Sequence, residues 1–277
     1  MIEIPETYVL ANQITKTLTG KKIISAIANT HPHSFAWYSG DPLLYNEVLT
    51  GHTITSSNPG TGYTCGGNTE VICNDLAIII STPIKYHVPG AKLPKSHQLL
   101  LQFEDESHMS CTVQMWGSML CIPIAEIKSS GQFSNNHLPS PLSDDFNEIY
   151  FDSIWKKAKS SLSAKALLAT EQRIPGLGNG VVQDILFNAR IHPKKKLESM
   201  TDSHMEAMFK STKSTLKAMK DGGGRDTERD LFNCSGGYKT ILSKNTLNSP
   251  CKECGGLLIR QSFLGGNIYF CEICQPL

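Results

Sequence analysis

Apolar residues recur at helical spacing over the first twenty positions. Val9, Leu10, Ile14 and Leu18 share one face, and Pro5 with Glu6 suits a helix start. The period then changes. Between residues 21 and 128, short apolar runs (Ile23–Ile27, Val71–Ile80, Gln98–Phe103, Thr112–Ile124) are separated by Gly, Pro, Asn and Ser. That pattern predicts strands joined by turns, in a β-sandwich or barrel. Residues 129–143 lose all periodicity, and a linker is expected over 131–143. Helical spacing returns from Asp144 to Lys220. One stripe holds Ile154, Ala158, Leu162, Ala166 and Leu167. A second holds Val181, Val182, Ile185, Leu186 and Ala189 and is stopped by Pro193, and Met200–Met219 forms a third. Residues 221–250 are rich in Gly, Asn and Ser and predict a loop. Near the C-terminus, Leu257–Phe263 and Ile268–Phe270 read as strands joined at Leu264-Gly265-Gly266-Asn267. The fold class expected is α+β, with an N-terminal β-sandwich domain over 1–130 carrying an N-terminal helix. A helical domain follows over 144–246, then a small hairpin unit over 247–277.

Composition narrows the class. The 277 residues are 40% hydrophobic and 18% charged, which reads as a soluble globular chain. No apolar run reaches bilayer length, so no membrane association is expected. The first six residues are acidic where a signal peptide would be basic, which points to a cytoplasmic protein. The net charge of +1 hides an asymmetry. Residues 1–138 carry seven Lys, no Arg and ten acids. Residues 139–277 carry 19 Lys plus Arg and 15 acids, and all five arginines lie at or after Arg173. A polyanion-binding surface is therefore expected mainly in the C-terminal half.

Nine cysteines are present, and four of them form C-x2-C-x16-C-x2-C: Cys251, Cys254, Cys271 and Cys274. Two C-x2-C pairs supply four thiolates, the donor set of one tetrahedral zinc ion, and closing a hairpin in this way is a structural role. Two disulfides or a dithiol redox centre are the competing readings. An intracellular setting, with no βαβ pattern nearby, speaks against both. Cys65, Cys73, Cys111, Cys121 and Cys234 are scattered and read as small buried hydrophobes.

Between two predicted helices lies Pro175-Gly176-Leu177-Gly178-Asn179-Gly180. Gly178 permits a close backbone approach, and the next helix offers N–H groups to an anion. Asn179 can cap that helix or donate its amide to a phosphate. Taken alone, the segment is also compatible with an ordinary helical-hairpin turn.

The context of that turn carries a resemblance. Lys165–Asn179, continued by Asp184–Pro193, closely resembles the helix-two-turn-helix of the formamidopyrimidine-DNA glycosylase / endonuclease VIII family. Glu3-Ile4-Pro5-Glu6, Pro141–Phe146 and the four C-terminal cysteines occur in that family's order. The resemblance implies a base-excision DNA-repair glycosylase that binds duplex DNA containing a damaged or abasic site and flips the damaged base out. It also implies a zinc finger, and AP lyase chemistry through an N-terminal amine. The expected protein is a monomer, nucleoid-associated if bacterial. Carried over residue by residue, Glu3 matches the catalytic glutamate and Glu6 a second glutamate. Met1 or Ile2 supplies the amine. Asn179, Gly178 and Lys165 match phosphate-contacting positions. Gln114-Met115-Trp116-Gly117 aligns with the family's Arg-Arg-Phe-Gly, so that Trp116 is either the wedge that replaces a flipped base or a core aromatic. Arg225, Arg229, Tyr238 and Lys239 lie in the loop that covers an extruded base, the other reading being a solvated connector. Gly266 and Asn267 lie at the hairpin tip that approaches DNA.

Three family features are missing. Position 2 is Ile rather than Pro, the lysine expected near Gly67-Asn68 is absent, and Gly266 stands where relatives hold arginine. The alternative function is therefore a non-catalytic or altered-substrate DNA-damage-binding member of the same fold. A zinc-stabilised protein-interaction module is a third class.

Overall fold

The computed structural model describes residues 2–60, 67–129 and 138–277. The chain divides into two compact units, Met1–His137 with Gly223–Gly237, and Leu138–Gly222 with Tyr238–Leu277. These differ from the expected bounds at two places. Residues 223–237 pack with the N-terminal unit, because Leu231 is fully buried in its core and Arg225 is held by Glu6. The second half of the expected linker belongs to the C-terminal unit, where Lys213 Nζ donates to the carbonyls of Ser143 (2.7 Å) and Phe146 (2.9 Å). Residues 131–137 of that linker lie outside the described residues, as do Met1 and Cys65.

The first unit opens with helix α1 (Ile4–Leu18), whose Leu10, Ile14 and Leu18 are fully buried. Burying each such side chain is worth roughly 1.5–3 kcal/mol. One antiparallel sheet follows the order β1-β7-β8-β6, from β1 (Ile23–Ala28), β6 (Ile84–His87), β7 (Leu99–Phe103) and β8 (His108–Cys111). The other follows β2-β9-β5-β4-β3, from β2 (Ala36–Tyr38), β3 (Ile54–Asn58), β4 (Thr69–Cys73), β5 (Leu76–Ile80) and β9 (Gly117–Pro123). Its β2 edge runs parallel to β9, and every other pair in it is antiparallel. One core joins residues of both sheets, among them Val71, Ile78, Leu101, Phe103 and Met119, with the inner face of α1. Short helix α2 (Tyr45–Leu49) adds to this core. Helix α3 (Ile124–Ser129) covers the outer face of β5 and β9 through Ile127. The run Val71–Ile80 is two strands rather than one. Every residue of β4 and β5 is buried, so no alternation betrays the break. The turn sits at Asn74-Asp75, where Asn74 takes a left-handed φ of 57°.

The second unit contains α4 (Glu148–Lys156), α5 (Ala164–Ala169), α6 (Asn179–Asn188) and α7 (Asp202–Asp221). The stripe read through Ile154–Leu167 is two helices. Turns at Ala158 and Leu162 interrupt it, and Ser163 Oγ restarts the helix by accepting from Ala166 N. Helix α6 ends at Asn188, well before Pro193, where Arg190 turns left-handed (φ 58°). The hairpin is β10 (Leu258–Phe263) and β11 (Gly266–Cys271). Its turn is the two residues Leu264-Gly265, both at positive φ (50° and 71°), so Gly266 and Asn267 belong to the strand and not to the loop. No helix among the described residues is long and apolar enough to cross a membrane.

Candidate functional site

In the first unit, three carboxylates surround one guanidinium. Glu3 precedes the first turn of α1 with extended backbone (φ −126°), and its N–H donates to Glu6 Oε2 (3.2 Å). Glu6 Oε1 accepts from the backbone N (3.2 Å) and Nε (2.9 Å) of Arg225, and Glu6 Oε2 accepts from Nη2 (2.7 Å). Glu3 Oε2 lies 3.7 Å from Arg225 Nη1, and Glu228 Oε1 lies 4.0 Å from Nη2. Glu3, Glu6 and Arg225 are all buried. Burial pushes the Glu6 carboxyl up, but Arg225 outweighs it and holds the group below the usual carboxylate range. Burial drives Glu228 the other way.

This geometry corrects the expected role of Arg225. Its guanidinium is spent on α1 inside the unit and is not presented as a surface contact. The loop that carries it is also well anchored. Gln13 Nε2 donates to Asp230 Oδ2 (2.9 Å), Leu231 N donates to Gln13 Oε1 (3.0 Å), and Tyr86 N donates to the Leu231 carbonyl (2.8 Å). Gly236 passes so close that an added Cβ would lie 2.1 Å from the Gly224 carbonyl oxygen. Here glycine serves close packing rather than mobility.

Breaking a buried pair strands a charge. Glu6→Gln is therefore expected to cost about 2–3 kcal/mol in denaturant unfolding, below the full cost because Glu3 and Glu228 still face Arg225. The pH dependence follows from the sign of the shift. A depressed folded pKa gives stability that is present above the unfolded value and is lost as pH falls through the folded one. The wild-type advantage over Glu6→Gln should thus be full at neutral pH and shrink below about pH 4.5.

The N-terminal unit also presents aromatic side chains to solvent. Trp116 is 44% exposed, so the core reading of it is set aside. It meets Trp37 edge to face, with ring centroids 6.1 Å apart. Phe35 and Met115 complete an open hollow with them, and Gln114 beside it is exposed. Ile2 is the opposite case, buried in the core cluster.

In the second unit the hairpin docks on the start of α6. Gly178 is the residue that precedes the helix, so Asn179 does not cap it. Instead Asn179 Nδ2 donates to the Asn267 carbonyl (3.0 Å). Gln183, one turn on, donates to the same carbonyl (3.2 Å) and accepts from Tyr269 N (3.0 Å). Lys165 Nζ donates to the Phe263 carbonyl (2.6 Å), and burial lowers its pKa. The Asp184 carboxylate accepts from Ile241 N and Leu242 N, fixing the segment that leads to the hairpin. Sequence reasoning missed Gln183, whose i,i+4 spacing from Asn179 was the available signal.

At the base of the hairpin the four cysteine Sγ atoms all lie within 4.8 Å of one another. Cys254 and Cys271 Sγ lie 3.4 Å apart, and Cys251 and Cys274 Sγ 3.8 Å apart. A disulfide needs about 2.05 Å. The edge of a tetrahedron with ~2.3 Å metal–sulfur bonds is about 3.8 Å, so the set fits a metal ion. Each C-x2-C closes a tight turn, through Gly255 N to the Cys251 carbonyl and Gln275 N to the Cys271 carbonyl (both 2.8 Å). Of the scattered cysteines, Cys73, Cys111 and Cys121 are buried as expected, whereas Cys234 is exposed in the 223–237 loop.

Known proteins are similar to this chain in sequence and share its fold. The formamidopyrimidine-DNA glycosylase H2TH domain family matches residues 138–229. A formamidopyrimidine-DNA glycosylase of Lactococcus lactis is 27% identical over 99% of both chains. One from Acinetobacter baumannii is 31% identical over 68% of each chain. Among solved structures, a complex between the Lactococcus lactis Fpg and an abasic site containing DNA superposes with a TM-score of 0.84. It covers 99% of this chain and 100% of that one at 23% identity. On this fold, and on sequence similarity that runs end to end, the chain belongs to the formamidopyrimidine-DNA glycosylase family.

Proposed function

We propose that this protein is a DNA-repair glycosylase that binds duplex DNA at a damaged or abasic site and releases the damaged base. The observation that carries this reading is the end-to-end similarity to formamidopyrimidine-DNA glycosylases, and Glu3 at the head of α1 supports it. Glu3 is the acid/base at the deoxyribose. The N-glycosidic bond breaks, the base leaves with a proton, and a nucleophile bonds to the sugar carbon. That nucleophile is the N-terminal amine or a water activated by Glu3. Glu6 and Arg225 act behind Glu3 by fixing the first turn of α1 and the loop beside it. Ile2 anchors the lead into the helix by packing.

Gly178 and Asn179 grip phosphate at the start of α6, where helix N–H groups favour an anion, and the buried Lys165 acts behind them by holding the hairpin through the Phe263 carbonyl. Trp116, with Gln114 beside it, fills the gap left by the extruded base. The four thiolates hold one zinc ion, which supplies a structural cross-link and no chemistry on the substrate.

The test is a panel of duplexes carrying oxidised bases or an abasic site, run with borohydride. Base release or strand cleavage is expected, and a trapped adduct would assign the amine route. No release, no cleavage and no adduct across the panel would sink the reading. Gly266 adds a gain-of-function test. A Cβ there meets the Asn179 side chain no closer than 3.5 Å, and its φ is not left-handed, so Gly266→Arg is tolerated. The added charge-assisted phosphate bond is expected to tighten abasic-duplex binding about 10-fold at low salt, with a steeper salt dependence.

A further inference from the structure

We infer that Trp37 is a second base-stacking residue, forming one rigid platform with Trp116 that holds the base left without a partner when the lesion is extruded. The inference rests on the proposed glycosylase reading and extends the role of Trp116 to a part of the chain far from it in sequence. Four large apolar side chains, Phe35 (56% exposed), Trp37 (48%), Met115 (71%) and Trp116 (44%), lie together in water. An exposed apolar cluster of this kind marks a binding surface.

The two segments that carry it are locked to each other. Strand β2 pairs with β9 in register Ala36↔Gly117 and Trp37↔Ser118, and Gly117 N donates to the Phe35 carbonyl (2.9 Å). Behind them, the buried Gln98 side chain spans both segments. Its Nε2 donates to the His31 carbonyl (2.9 Å), and its Oε1 accepts from Val113 N (2.7 Å). The Tyr38 hydroxyl donates to the Gln98 carbonyl (3.0 Å). A surface held this firmly loses little entropy on binding.

Its chemistry selects the occupant. None of the four residues is charged, and residues 1–138 contain no arginine and have an excess of acids. Such a surface offers a phosphate no charge or donor to bond and accepts the uncharged face of a base. Stacking of this kind tolerates any base, because every base has a π-face. The base opposite the lesion should therefore be held without being identified. Gln114, the exposed polar side chain at the platform edge, can donate or accept and so does not restrict the choice.

The experiment measures binding to duplexes that carry an abasic-site analogue opposite each of the four bases. A further duplex has 2-aminopurine opposite the analogue, and its fluorescence reports stacking. Wild type, Trp37→Ala, Trp37→Phe and Phe35→Ala are compared, with thermal unfolding as a check on folding. Trp37→Ala should weaken binding about 10-fold and restore 2-aminopurine fluorescence, and Trp37→Phe should recover most of both. Wild-type affinity should vary less than about 3-fold among the four opposite bases, as expected for stacking without hydrogen-bond readout. If wild type binds the analogue but Trp37→Ala matches it in affinity and fluorescence, the inference fails and the glycosylase reading stands. A strong preference for one opposite base also overturns it. If wild type binds no abasic duplex at all, it is the glycosylase reading that has failed.

Discussion

Glu3→Gln is expected to lower base release by about 10²–10⁴-fold, the range for loss of a positioned acid/base group, with abasic-duplex affinity within about 2-fold of wild type. The substitution is nearly isosteric. The Glu3 backbone N–H still donates to Glu6, the Thr7 N–H still reaches the Glu3 carbonyl (3.1 Å), and the first turn of α1 keeps its geometry. What disappears is the ability to take and return a proton. Single-turnover kinetics on the most active duplex of the panel, beside a binding isotherm on the abasic analogue, separate the two quantities. A variant that loses affinity and rate equally would show Glu3 to be a binding or structural group. Equal rates in wild type and variant would remove Glu3 from the chemistry altogether. Borohydride trapping adds a second discrimination. If the amine route operates, an abasic duplex should still yield some adduct in the variant, because amine attack on an open-chain sugar does not need the carboxylate to release a base.

Much of this site was legible because local chemistry wrote it into short motifs. The C-x2-C pairs announced a metal site before any fold was known, and the four Sγ atoms do converge. Pro5 and Glu6 mark the start of α1, which runs from Ile4 to Leu18. What could not be read depends on contacts distant in sequence. Arg225 looks like a loop cation seeking a ligand, and only the fold brings Glu6 to it across more than two hundred residues. The close packing inside the loop expected over 221–250 was hidden for the same reason, since a glycine that allows motion and a glycine that allows contact, as Gly236 does, are identical in sequence. Trp37 carried no signal at all. Its strand has three residues, pairs in parallel with β9, and gains its meaning from Trp116 and Gln98. Strand β2 escaped notice because it has only three residues, and β3, β6 and β8 because each is short and interrupted by polar residues.

Removing the metal should have the widest consequences of any single perturbation. The purified protein is expected to hold one zinc per chain, and a strong chelator at neutral pH should release it. Zinc binding contributes on the order of 10–16 kcal/mol to the folding of small zinc fingers, so the hairpin is not expected to persist without it. Its own apolar contribution is small. Ile268, Phe270 and Cys271 are buried, but most other residues of β10 and β11 are partly or largely exposed. Once the hairpin opens, Lys165 loses the Phe263 carbonyl, Asn179 and Gln183 lose the Asn267 carbonyl, and Gln183 loses Tyr269 N. The start of α6 then keeps its N–H groups but not the partners that orient the side chains around them. Abasic-duplex binding should fall more than about 100-fold, equivalent to the loss of two charge-assisted phosphate bonds at about 1.5–3 kcal/mol each. Hydrogen exchange should accelerate across Leu258–Cys271, and added zinc should restore both binding and protection. Cys254→Ser is the genetic counterpart, and Cys234→Ser, outside the cluster, is its control. Metal content unchanged by Cys254→Ser, or full DNA binding after complete chelation, would show that the four thiols do not hold the hairpin through a metal.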